Sequence, residues 1–143
     1  MKHKKRLIIL ALFILLFGSL VFIGFRRKPL AFITYPFVNE LFLNKNNLAS
    51  REGYYISEKE DVLEILRILR SMKTYKRKDI ELEEVNYTIY INLINGATIS
   101  IGILPDEMII IGNKFYKTDT DYSISFDELI IDISRKYNNI IIN

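Results

Sequence analysis

The sequence predicts an α+β protein: an N-terminal transmembrane helix, then a two-layer domain in which an antiparallel meander of about four strands packs on two helices. Three observations carry that prediction. Residues 7–25, LIILALFILLFGSLVFIGF, are uncharged. Residues 85–103 alternate apolar and polar side chains on both sides of Asn95-Gly96. Two further segments place apolar residues on one stripe at helical spacing.

The apolar run comes first. At about 1.5 Å per residue it extends roughly 28 Å, close to the thickness of a bilayer's hydrocarbon core. Lys2, Lys4, Lys5 and Arg6 precede it, and Arg26, Arg27 and Lys28 follow. A cleaved export signal has a shorter apolar core and a small-x-small cleavage site. This run is longer and ends in Phe22-Ile23-Gly24-Phe25, so the expectation is an uncleaved signal anchor. The Lys/Arg count is four before the run and three after it, a slight bias by the positive-inside rule. The favoured orientation puts residues 1–6 in the cytoplasm as a basic tail and the C-terminal domain outside the cell membrane; the reverse stays open. The lipid bilayer, reached through residues 7–25, is the first expected partner.

Charge divides the chain in the same way. Seven of the 20 basic side chains lie in residues 1–28, whereas all 17 acidic ones lie beyond them. The remainder is mildly acidic and has no basic stripe, which argues against nucleic acid as a partner. The chain has no cysteine, which excludes disulfides, thiolate catalysis and a lipid-modified N-terminal Cys.

Residues 26–50 read as a juxtamembrane connector and 51–143 as the folded domain. Pro29 and Pro36 disfavour helix before them, and Asn44-Lys45-Asn46-Asn47 has turn composition. Gly53–Ile56 suits a short strand. Ser57 with Glu60 forms a capping-box pattern opening a helix to about Met72, with Val62, Ile65, Leu66, Leu69 and Met72 on its apolar stripe. A charged loop follows, with a short edge strand near Ile80–Leu82. Val85, Tyr87, Ile89, Ile91 and Leu93 then alternate with polar residues, Asn95-Gly96 suits a two-residue type I′ turn, and Ala97, Ile99, Ile101 and Ile103 alternate again. Met108–Ile111 and Phe115–Thr118 complete the meander. Ser125 with Glu128 repeats the capping pattern before a helix to Tyr137, with Phe126, Leu129, Ile130 and Ile133 on one stripe. The tail Ile140–Ile142 suits a last strand.

Chemistry-bearing residues are sparse. His3, the one histidine, lies in the basic tail. Asp119 and Asp121 share a loop but lack the Gly and distal Glu of a calcium loop. Asp127, Glu128 and Asp132 suit the first turns of a helix. Glu81, Glu83 and Glu84 have no spacing that fixes a paired-carboxylate geometry. No catalytic, cofactor or metal site is therefore assigned, and an enzyme is not expected. The suggestive group is Tyr90 and Asn92 on the polar side of their strand, with Thr98 and Ser100 across the hairpin. They compose a flat, hydrogen-bonding surface for an envelope protein, peptide or glycan.

The pattern of Ser57 and Glu60, then Tyr87, Ile89 and Ile91, then Asn95-Gly96, then Ile99 and Ile101, resembles small uncharacterised cell-envelope domains of Gram-positive (Firmicute) bacteria, anchored by a membrane helix or a lipid. The resemblance implies architecture and an envelope location, and it brings no activity. The expected function is a membrane-anchored protein with an extracytoplasmic binding module. A membrane-held immunity or inhibitor protein is the alternative, and a carboxylate-based enzyme or metal-binding module a third reading.

Overall fold

The computed structural model describes residues 2–46, 51–76, 85–138 and 140–141, and along the first helix the side chains of Arg6–Leu20. The elements in chain order are α1 (Lys2–Arg27), a 3-10 turn (Tyr35–Phe37), β1 (Val38–Asn46), β2 (Arg51–Ile56), α2 (Lys59–Ser71), β3 (Thr74–Lys76), β4 (Tyr87–Leu93), β5 (Thr98–Leu104), β6 (Met108–Ile111), β7 (Lys114–Thr118), α3 (Ser123–Lys136) and β8 (Ile140–Ile141).

The strands form one sheet of eight, in the order β3-β7-β6-β5-β4-β1-β2-β8. Every described pairing is antiparallel. α2 leads from β2 to β3, near opposite edges, and α3 leads from β7 to β8, so both helices cross the sheet. Their stripes, Val62, Ile65, Leu66 and Leu69 on α2 and Phe126, Ile130 and Ile133 on α3, are buried in one core with Leu41, Leu43, Tyr87, Ile89, Ile91, Ile101, Ile103 and Ile109. Those strand residues sit at alternate positions because the strand period is two. The other sheet face therefore carries Glu40, Phe42, Tyr90 and Asn92.

The expected architecture needs two corrections. Among the described residues, no helix is long and apolar enough to cross a membrane, which overturns the transmembrane helix and signal anchor at residues 7–25. α1 does form there, as a helix over Lys2–Arg27. The second correction is the sheet, which has twice the four strands expected. The four expected strands are β4–β7, and they do form a meander. β1, β2 and β8 extend it on one side and β3 on the other.

β1 comes from the segment read as a connector. It is central, pairing with β4 on one edge and β2 on the other. Its last residues, Asn44-Lys45-Asn46, have turn composition, yet they pair with Thr88 and Tyr87 and with Gly53, Glu52 and Arg51. Pairing on both edges overrides a weak local preference.

Smaller differences have local causes. α2 starts at Lys59 after Glu58, with no side-chain cap, so Ser57 and Glu60 close no capping box. α3 starts two residues before Ser125 because Asp121 Oδ1 accepts from both the backbone N–H (2.9 Å) and the hydroxyl (2.6 Å) of Ser123. The β4–β5 loop is not a two-residue type I′ turn, which needs positive φ at both central residues. Only Gly96 has it (φ 82°), while Gly96 N–H bonds to the Leu93 carbonyl and Leu93 N–H to the Ala97 carbonyl. This is a three-residue loop with glycine in the left-handed position. The strand expected near Ile80–Leu82 and the carboxylates Glu81, Glu83 and Glu84 lie outside the described residues.

Leu43 is fully buried in β1. Leu43→Ala should lower unfolding stability by about 2–5 kcal/mol, as core truncations do, measured by denaturant titration. A loss under about 0.5 kcal/mol, usual for a surface residue, would place residues 38–46 outside the core.

Candidate functional site

The sheet face that α2 and α3 leave free carries three parallel rows of side chains. The middle row crosses four strands: Tyr55 on β2, Phe42 on β1, Tyr90 on β4 and Ser100 on β5, each opposite the next. The Phe42 and Tyr55 ring centroids lie 4.7 Å apart at 48°, and those of Phe42 and Tyr90 lie 6.3 Å apart at 30°. Both spacings suit tilted aromatic contact. The platform stays open to solvent, with Tyr55 at 51% and Tyr90 at 38% exposure.

Towards the β4–β5 hairpin lies a polar row. Asn92 Nδ2 donates to Glu40 Oε2 at 2.9 Å, and Thr98 Oγ1 donates to Asn92 Oδ1 at 2.8 Å. These bonds hold the Asn92 amide between β1 and β5. On the far side of the aromatic row, Asn44 Nδ2 donates to Asn46 Oδ1 (3.0 Å), and Asn46 Nδ2 donates to Thr88 Oγ1 (3.1 Å). Asn44 Oδ1 is buried and has no donor among the described residues. Val85 closes this end of the face: a Cβ at Gly102 would stand 3.2 Å from Val85 Cγ1, so glycine makes room for the valine.

Tyr90, Asn92, Thr98 and Ser100 are thus brought together as two cross-strand pairs, Tyr90 with Ser100 and Asn92 with Thr98. Sequence reasoning missed Glu40, Phe42 and Tyr55. Their signal was available, since Glu40, Phe42 and Asn44 alternate with the apolar Leu41 and Leu43. The site pairs a neutral aromatic platform with amide, hydroxyl and one carboxylate group. It can stack against a flat apolar surface and exchange hydrogen bonds along its edge.

The other polar candidates serve the fold. Asp119 Oδ1 accepts from the Tyr122 hydroxyl at 2.9 Å and the Lys73 N–H at 3.3 Å. Asp127 accepts from the hydroxyl of Tyr87, a core residue whose ring packs on Phe126 at 5.8 Å. Burial, then the bond and charge of Asp127, push the Tyr87 hydroxyl well above the usual tyrosine range. Asp132 pairs with Arg135 on the surface of α3. Among the described residues, no group of three or more His, Cys, Asp or Glu is placed to hold a metal ion.

A groove of about 420 Å³ runs between α2 and α3, with Asp61, Ser125, Glu128 and Lys136 among its lining residues. Asp61 is buried on α2 and accepts from Lys136 Nζ (2.7 Å) and from the Tyr137 hydroxyl (2.9 Å). That hydroxyl also accepts from the Glu58 N–H at 3.0 Å, so the start of α2 is tied to the end of α3. Burial opposes ionisation of Asp61, but the bonds from Lys136 and Tyr137 and the charge of Lys136 outweigh it and hold the carboxyl below its ordinary value.

No family model, curated protein or solved structure matches this chain.

A carboxyl with a lowered folded-state pKa contributes stability above its unfolded pKa, about 3.9 for Asp, and that contribution is lost as pH falls. The thermal midpoint should therefore drop as pH falls from about 5 towards 2. Asp61→Asn should lower the midpoint at neutral pH and flatten that dependence. An unchanged slope in calorimetry would exclude Asp61 as a source of acid sensitivity.

Proposed function

We propose that the α+β domain is a binding module whose open sheet face receives a partner with a flat apolar surface edged by hydrogen-bonding groups. The observation that carries this reading is the exposed row Tyr55–Phe42–Tyr90 beside the bonded row Glu40–Asn92–Thr98. Tyrosines supply large contact area at low entropy cost. Asn92 is already oriented by its neighbours, which reduces the ordering needed on binding. The reading is one of recognition rather than catalysis, because the site's one carboxylate, Glu40, serves to hold Asn92.

The double substitution Tyr90→Ala with Asn92→Ala tests it. Truncating a central aromatic contact costs about 2 kcal/mol or more, roughly a 30-fold loss of affinity. Partners cross-linked to the wild-type chain should be recovered at correspondingly lower yield with the double variant. Its thermal midpoint should stay close to wild type, since Tyr90 is exposed and half-buried Asn92 lies on the open sheet face, both outside the core. Equal recovery with both chains would remove the sheet face from the binding site.

A further inference from the structure

A second exposed surface lies at the end of the sheet where α1 joins the domain. Residues 28–37 lead from α1 into β1 and are pinned by Leu30 and Ile33, each only 2% exposed. On one side of this segment, Phe32 and Phe37 meet Ile94 of the β4–β5 hairpin around an apolar pocket of about 380 Å³. The Ile94 N–H donates to the Phe37 carbonyl at 3.0 Å, which ties the turn to the hairpin. Their side chains nevertheless point outward: Phe32 is 55%, Phe37 56% and Ile94 65% exposed. On the other side runs a groove of about 630 Å³ with Lys28, Tyr35, Leu63 and Arg70 in its walls. Lys59 Nζ sits 5.5 Å above the Tyr35 ring at the same end.

We propose that this end of the domain docks on an anionic lipid surface. Phe32, Phe37 and Ile94 enter the headgroup layer, and Lys28, Lys59 and Arg70 meet lipid phosphates. Three features select this occupant. The first is the exposed cluster of large apolar side chains, a mark of an interaction surface. The second is charge: residues 29–143 are net acidic, yet cations flank the apolar cluster. Among the described residues none of Lys28, Lys59 and Arg70 has a carboxylate within 4 Å. Apolar side chains beside cations are what an interfacial contact with anionic lipid requires. The third is continuity with α1, where Leu7, Phe13 and Leu20 are also more than 60% exposed. A second copy of the chain fits less well, because a two-fold contact would set the same cations against each other.

The chain contains no tryptophan, so a single introduced one reports its surroundings alone. The full chain carrying Phe37→Trp is mixed with vesicles of phosphatidylcholine, with and without phosphatidylglycerol, and with brominated acyl chains as quencher. The tryptophan emission should move to shorter wavelength and be quenched on the phosphatidylglycerol vesicles. Lys28→Glu with Arg70→Glu in the same chain should abolish most of that change. Lys117→Trp, at the opposite end of the strands, should keep its solvent-exposed emission. Unchanged emission of the Phe37→Trp chain on anionic vesicles would overturn the proposal. So would equal quenching of the Lys117→Trp chain, or a shift that needs no lipid and grows with protein concentration, which would identify a second copy as the occupant.

Discussion

The burial of one sheet face beneath α2 and α3 is the constraint from which the other features follow. Leu41, Leu43, Ile89, Ile91, Ile101 and Ile103 all point to that side and are fully or almost fully buried with the helix stripes. Each such side chain contributes about 1.5–3 kcal/mol by leaving water. A strand cannot satisfy this on one face without fixing what stands on the other, because a one-residue slip would exchange the two sets. The positions of Phe42, Tyr90 and Asn92 are therefore consequences of core packing. The register of the candidate surface is set by the core behind it.

The same constraint explains where polar groups enter the helical layer. Two helices lying side by side on a sheet bring their ends close together, and here the start of α2 meets the end of α3. Asp61, Lys136, Tyr137 and the Glu58 N–H share that junction through three hydrogen bonds. A buried carboxylate without these partners would cost several kcal/mol in desolvation. With them, it fixes which end of one helix faces which end of the other. Tyr87 does similar work at α3, filling the core with its ring and reaching the surface through Asp127.

How much of this was legible in the chain depends on how local each cause is. The alternation in residues 85–103 and the two helix stripes depend on neighbouring residues, and they led to β4, β5, α2 and α3. The cross-strand pairs Tyr90–Ser100 and Asn92–Thr98 followed from the same hairpin. β1 was missed although Glu40, Phe42 and Asn44 alternate with Leu41 and Leu43, because the turn composition of Asn44-Lys45-Asn46 at its end outweighed so short an alternation. Missing β1 meant missing Phe42 and Tyr55, and so most of the aromatic row. The start of α3 was misplaced because Asp121, rather than Ser125, supplies the acceptor for the first turn. The apolar run at residues 7–25 was legible as a helix, but its composition did not translate into a span among the described residues.

The domain thus presents two surfaces of different chemistry, and their separation has a physical basis. The aromatic row lies across β2, β1 and β4, midway along the strands, where cross-strand contacts hold each ring between neighbours. The cluster of Phe32, Phe37 and Ile94 lies at the strand ends, on a turn and a hairpin loop, where apolar residues gain nothing from the core. Residues in the middle of a sheet face are there because the alternating period places them. Large apolar residues at loop tips have no such reason, since neither packing nor turn chemistry calls for them. The loop-tip cluster is therefore the stronger sign of a surface shaped by an external contact, and the aromatic row is the one held by cross-strand ring contacts.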